Sequence, residues 1–163
     1  MNNANSRSVL ISGCSSGIGL GVALGLAAQG YPVYAGVRQL KDIPLLQAQG
    51  LRAVHLDLDD SASIGRAVEE VLSQSGGQLY ALFNNGGYGQ PGAVEDLSRE
   101  VLRAQFETNV FGMLELTNRV IPVMRKQGDG RLLFNSSLLG YVALPYRGAY
   151  NASKYAIEGL CDT

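Results

Sequence analysis

A doubly wound α/β fold around a parallel sheet is predicted by two observations. Short apolar runs alternate with helix-length stretches along the chain, and the first run breaks into a glycine-rich turn that opens directly onto a helix. That first strand is expected over residues 9–12, closed by Gly13-Cys14-Ser15-Ser16-Gly17, after which 18–29 reads as a helix stopped by Gly30. The alternation then repeats. A strand over 33–37, a helix near 44–49, a strand over 52–56, a helix over 62–73 and a strand over 79–84 follow in order. A helical stretch in two segments covers 99–127, a fifth strand 131–135, and a last helix begins near Tyr150. Strands separated by helices form βαβ units, whose crossovers are right-handed and whose sheet carries helices on both faces. The runs Leu79-Tyr80-Ala81-Leu82-Phe83 and Leu132-Leu133-Phe134 are apolar at consecutive positions, which implies strands buried on both sides.

Neither a linker nor a repeat divides residues 9–163, which are read as one domain after a polar tail over 1–8. The sequence stops at Thr163 inside or just after a helix, without a cap or a closing strand. The fold is therefore expected to be incomplete at its C-terminus, leaving the fifth strand as an open edge.

Composition narrows the partners. With 46% hydrophobic and 17% charged residues the 163-residue chain has material for a core. Net charge is −1 and the 13 basic residues are spread along the chain, which argues against nucleic acid or an anionic membrane as partner. The apolar stretch 18–28 is too short and too rich in glycine to span a bilayer, and the polar start lacks the apolar core of a secretory signal. A cytoplasmic location is expected. Cys14 and Cys161 lie far apart and outside any C-x-x-C spacing, and His55 is the single histidine. Neither a metal site nor a disulfide framework is suggested, and a Ser-His-Asp hydrolase would depend on that one histidine.

Gly13, Gly17 and Gly19 sit between the first strand and the first helix. There a diphosphate approaches the backbone unhindered by a Cβ and meets the positive end of the helix dipole. No Gly-Lys-Ser/Thr follows, which disfavours a nucleoside triphosphatase.

The run Ser12-Gly13-Cys14-Ser15-Ser16-Gly17-Ile18-Gly19 resembles the T-G-x-x-x-G-I-G motif of the short-chain dehydrogenase/reductase family, with serine for the usual threonine. Further matches follow in the family's order. Asp57 resembles the aspartate that contacts the adenine ring, although a loop-capping role fits the same position. Asn84-Asn85-Gly86-Gly87 resembles the N-N-A-G motif, and Asn109 the helix asparagine to which the family assigns a structural and proton-relay role. Tyr150 and Lys154, four apart on one helix face, with Ser137 thirteen residues before the tyrosine, match the Ser…Tyr-x-x-x-Lys arrangement.

The resemblance implies a Rossmann fold and a catalytic set of Ser137, Tyr150, Lys154 and Asn109. It also implies a cofactor site formed by Gly13, Ser15, Ser16, Gly17, Ile18, Gly19, Arg38, Asp57, Asn84, Gly86, Tyr150 and Lys154. In the implied chemistry Tyr150 exchanges a proton with the substrate oxygen, Ser137 hydrogen-bonds that oxygen, and Lys154 favours the phenolate and holds the nicotinamide ribose. Ser136, the adjacent hydroxyl, is assigned to local hydrogen bonds at the strand end. NADP(H) is expected over NAD because Val37 stands where an NAD enzyme carries an acid, and Arg38 follows to pair with a 2′-phosphate, with Ser15 or Ser16 adding a contact.

The looser glycine spacing argues against the extended branch of the family, which carries T-G-x-x-G-x-x-G. The stretches 33–38 and 150–160 look similar to hydroxysteroid and retinol dehydrogenases, which implies an alcohol or carbonyl substrate, a lipophilic one included. The complete protein is expected to be a homo-oligomer. The alternative is a dinucleotide-binding regulatory module without turnover.

Overall fold

The computed structural model describes residues 7–163. Five strands make one sheet: β1 (Val9–Ile11), β2 (Val33–Val37), β3 (Arg52–His55), β4 (Ala81–Asn84) and β5 (Arg131–Phe134). Their spatial order is β3-β2-β1-β4-β5 and every pairing is parallel. The chain thus builds outward from β1 to one side, returns, and builds to the other. That reversal opens a crevice beyond the C-terminal ends of β1 and β4, where open α/β sheets bind ligands.

Two apolar layers hold the helices on. On one face Leu10, Val54 and Leu82 meet Ile64 and Val68 of α3 (Ser61–Gln74) and Leu116 and Val120 of α5 (Met113–Gln127). On the other, Ile11, Ala35 and Val37 meet Ala23 of α1 (Gly17–Ala28) and Leu46 of α2 (Ile43–Gln47). Both clusters draw on β1 and β2, whose residues are buried throughout, as continuous apolar strands in a covered parallel sheet require. The entry of α3 is capped by Asp60, whose carboxylate accepts the Ala62 amide at 2.9 Å.

Several boundaries differ from expectation for identifiable reasons. Strand β4 starts at Ala81, two residues after the predicted start, because the Gln127 amide accepts from the Leu79 N–H (3.2 Å) and donates to its carbonyl (2.6 Å), in place of a strand partner. The predicted burial of residues 132–134 on both faces does not hold: β5 is the sheet edge, and Leu132 and Leu133 are 39% and 50% exposed. Of the polar tail predicted over 1–8, residues 1–6 lie outside the described residues. Ser8 is buried, its carbonyl accepting from the Tyr80 and Ala81 amides at 2.9 and 3.2 Å.

The helical stretch 99–127 is α4 (Arg99–Phe106), a π-helical turn over Glu107–Gly112, and α5. A final helix, α6 (Gly148–Cys161), lies against α4 and a 3₁₀ turn at Leu138–Gly140. Among the described residues no helix is long and apolar enough to cross a membrane.

Candidate active site

The crevice is stitched together by polar side chains at the ends of β1, β4 and β5. Ser12 is fully buried, and its hydroxyl accepts the amides of Asn85 (3.0 Å) and Gly86 (2.9 Å). Asn85 returns the tie, donating from Nδ2 to the carbonyls of Ser12 (3.1 Å) and Gly13 (3.0 Å), and accepting on Oδ1 from Asn135 Nδ2 at 2.9 Å. These contacts leave no space for a side chain at two glycines. Gly13 has φ +70°, and a Cβ there would stand 2.7 Å from Gly86 Cα. At Gly19 a Cβ would run into the Gly13 carbonyl oxygen and Asn85 Nδ2.

Ser15, Ser16, Gly17 and Ile18 are exposed around the start of α1, and the Ser16 side chain caps no helix amide. The unpaired amides of the first turn therefore face open space, the arrangement that receives a phosphate. Cys14 turns the other way. It is fully buried, its thiol donates to the Ile11 carbonyl at 3.2 Å, and burial pushes its pKa up to about 12.

A cleft of about 520 Å³ runs from this turn along the strand ends and is lined by Gly13, Ser15, Arg38, Asp57, Gly86 and Tyr88, among others. Four separate loops thus contribute the predicted residues Gly13, Ser15, Arg38, Asp57 and Gly86 to one surface. Arg38 is exposed and takes part in none of the ion pairs found among the described residues. The Asp57 carboxylate also shapes its own turn, accepting the Asp59 amide at 3.1 Å. His55 is occupied structurally, with Nε2 3.0 Å from the Arg38 carbonyl and Nδ1 3.4 Å from Ser63 Oγ.

Asn84 does not belong to this surface. It is fully buried and donates from Nδ2 to Thr117 Oγ1 at 2.9 Å, because its side chain leaves the strand on the face opposite Asn85. Its neighbour Asn85 points to the strand-end crevice, where it ties Ser12 and Gly13.

A second cavity of about 450 Å³ adjoins the first at Gly87 and Tyr88, with Asn85, Ser136, Arg147, Tyr150 and Lys154 in its wall. Tyr150 and Lys154 share one face of α6, and the ammonium lies 5.5 Å from the centre of the phenol ring. Lys154 is 5% exposed and donates to the Asn135 carbonyl at 2.6 Å. Burial lowers its pKa from the ordinary value, and the Glu158 carboxylate one turn on works in the opposite direction. The chain enters α6 through Tyr146, whose φ of 59° is unusual for an aromatic residue, and the Tyr146 carbonyl accepts the Gly92 amide at 3.0 Å.

Asn109 is fully buried in the π-helical turn, a local geometry common at functional sites. Its Oδ1 accepts the Tyr88 amide (3.0 Å) and its Nδ2 donates to the Tyr88 carbonyl (2.9 Å) and to Ser153 Oγ (3.1 Å). Ser153 in turn donates to the Tyr150 carbonyl at 2.8 Å, so Asn109 fixes both the Tyr88 segment and the first turn of α6.

The local hydrogen bond expected of Ser136 is made by Ser137 instead. Ser137, half-buried, accepts the Leu139 amide on its hydroxyl at 3.1 Å and so caps the 3₁₀ turn. Ser136 lines the cavity, and its buried hydroxyl has no hydrogen-bond partner among the described residues. Sequence reasoning missed Asn85, Tyr88, Arg147 and Glu158. For Asn85 and Glu158 a signal existed, in the Asn-Asn-Gly-Gly run and in the four-residue step from Lys154.

Comparison with known proteins agrees with this architecture. The uncharacterized oxidoreductase YbbO of Escherichia coli strain K12 is 45% identical over 156 residues, covering 96% of this chain and 58% of the relative. Human 17-beta-hydroxysteroid dehydrogenase type 1 is 36% identical over 167 residues, covering 95% of this chain and 50% of the relative. A short-chain dehydrogenase structure from Streptomyces avermitilis superposes with a TM-score of 0.90 at 33% identity, covering 96% of this chain and 58% of that one. The chain therefore spans between half and three fifths of the length of these proteins. With the short chain dehydrogenase family model matching residues 7–163, the chain belongs to the short chain dehydrogenase family.

Proposed function

We propose that this chain forms the dinucleotide-binding and catalytic part of an oxidoreductase that moves hydride between NADP(H) and an alcohol or carbonyl compound. The observation that carries this reading is the junction of the two cavities: a glycine-lined cleft for a dinucleotide adjoins, at Gly87 and Tyr88, a cavity with Tyr150 and Lys154 in its wall.

The residues fit the group. Exposed amides at the start of α1 suit a diphosphate, the close approach at Gly13 and Gly86 keeps the turn free of side chains, and Asp57 and Leu58 line the same cleft. When bound, the dinucleotide supplies or accepts the hydride.

The chain's own groups do the remaining work. Tyr150 gives its phenolic proton to the carbonyl oxygen in reduction, or takes the alcohol proton in oxidation. The Lys154 ammonium stands on the same helix face, 5.5 Å from the centre of the phenol ring. Ser137 is the hydroxyl that holds the substrate oxygen, while Asn109 keeps the first turn of α6 in register through Ser153. Positioned acid–base catalysis of this kind is worth about 10²- to 10⁴-fold in rate.

Arg38, exposed in the wall of the cleft that Ser15 also lines, supports the NADP(H) preference, because its guanidinium, in no ion pair among the described residues, is available to a 2′-phosphate. A lipophilic substrate is supported by Leu139 and Leu144 in the wall of the second cavity and by the similarity to a hydroxysteroid dehydrogenase. The test is oxidation of NADPH and of NADH by the full-length protein with cyclohexanone, decanal and a steroid ketone. NADPH-dependent reduction of at least one carbonyl is expected; binding of the cofactor without turnover of any would reject the reading.

A further inference from the structure

Glu158 lies on α6 one turn beyond Lys154, and it meets the loop that carries Ser137 at two points. The Tyr141 hydroxyl donates to Glu158 Oε2 at 2.6 Å. On the other side, Glu158 Oε1 and Ser136 Oγ flank the same face of Gly140: a Cβ built there would stand 3.2 and 3.1 Å from them, and 2.9 Å from Glu158 Cγ. Ser136 Oγ makes no hydrogen bond among the described residues.

The loop between these two points is the 3₁₀ turn that Ser137 caps, with Leu139 N–H on Ser137 Oγ and Gly140 N–H on the Ser137 carbonyl at 2.9 Å. The Glu158 carboxylate therefore fastens the far flank of the Ser137 turn, at Tyr141, to the helix that bears Tyr150 and Lys154, and its stem packs against Gly140 within that turn. We propose that Glu158 is a positioning residue for catalysis, holding the Ser137 turn in register with Tyr150 through its bond from Tyr141 and its packing on Gly140. This rests on the oxidoreductase reading of the site.

The titrating groups around it are consistent with such a clasp. Glu158 has its pKa lowered, first by Ser136 and then by Tyr141 and Lys154, while the Tyr141 phenol is raised by its bond to Glu158. The remaining neighbours, Cys161 and Asp162, are on the same helix or just past its end and contribute no second tie to the loop.

Three variants of the full-length protein test the proposal: Glu158→Ala, Tyr141→Phe and Glu158→Gln, which keeps a carbonyl to accept from Tyr141. Hydrogen exchange of residues 137–142 reads the clasp itself, and NADPH-dependent carbonyl reduction reads its consequence. In Glu158→Ala, exchange of this segment is expected to accelerate at least about tenfold, and kcat to fall by about 10- to 100-fold, the scale set by loosening of reacting groups. KM and cofactor affinity should stay within about two-fold, Glu158→Gln should recover kcat to within about five-fold, and Tyr141→Phe should add little to Glu158→Ala because both break one clasp.

Unchanged exchange in Glu158→Ala would overturn the proposal whatever the activity, as would faster exchange with kcat within two-fold of the parent. A kcat loss that tracks only a lower Tm, with KM and cofactor affinity worsening together and no rescue by Gln, would reduce Glu158 to a structural residue. An inactive parent would overturn the oxidoreductase reading and with it the catalytic part of the proposal, while the exchange measurement still decides the clasp.

Discussion

Lys154 holds its ammonium 5.5 Å from the centre of the Tyr150 ring while donating a 2.6 Å hydrogen bond to the Asn135 carbonyl at the end of β5. The ammonium beside the phenol is thus anchored to the sheet rather than left to the flexibility of a lysine side chain. Fixing the stem costs side-chain entropy, and burial of the ammonium costs solvation.

That burial has a pH signature. Lys154 binds its proton less tightly in the fold than its ordinary 10.5 implies, with desolvation the leading cause. Between the lowered value and 10.5 the unfolded chain carries more of this proton than the folded one, so the group's contribution to unfolding free energy rises with pH there. Denaturant melts of the parent and of Lys154→Met across that window should show the difference, parent minus variant, increasing with pH. A flat difference would mean that Lys154 titrates as a solvated lysine.

Ser12 is the next test, because its hydroxyl serves two amides at once. Ser12→Ala leaves the Asn85 and Gly86 N–H groups without their acceptor and is expected to cost about 2–4 kcal/mol in unfolding free energy. Ser12→Thr keeps the acceptor and should recover most of it. Denaturant titration checks both; a loss under about 0.5 kcal/mol in the alanine variant would show that water replaces the hydroxyl.

Arg38 should set cofactor preference. A charge-assisted hydrogen bond made only with the 2′-phosphate is worth roughly 1.5–3 kcal/mol, or about 10- to 150-fold. Calorimetry is expected to show tighter binding of NADP than of NAD, and loss of most of that ratio in Arg38→Leu. Equal affinities in the parent, or an unchanged ratio in the variant, would count against the assignment.

How far these features were legible in the sequence depended on the range of the interaction that decides them. The order of strands and helices, the glycine turn and the Tyr150–Lys154 face follow from local spacing, and the structure places them together. Distant partners decided the rest. Leu79 leaves the strand because Gln127 lies against it from 48 residues away. Of the asparagine pair, Asn84 faces the core and Asn85 the second cavity, a one-residue alternation that the motif alone does not orient. The π-helical turn holds Asn109 against Tyr88 and Ser153, neither of which is a neighbour in sequence. Ser136 and Ser137 differ in what their hydroxyls meet only once the 3₁₀ turn and Glu158 are in place.

The central claim is that Tyr150 is the proton-exchanging group of a hydride-transfer site, and Tyr150→Phe in the full-length protein addresses it most directly. The substitution removes one oxygen and leaves the ring beside Lys154 and the cleft residues Gly13, Ser15 and Arg38 untouched. Steady-state turnover with NADPH and a carbonyl substrate, measured beside NADPH affinity by fluorescence titration, is expected to show kcat reduced by at least about 10²-fold with the dissociation constant within about two-fold of the parent. A variant that turns over within a few-fold of the parent would contradict the account.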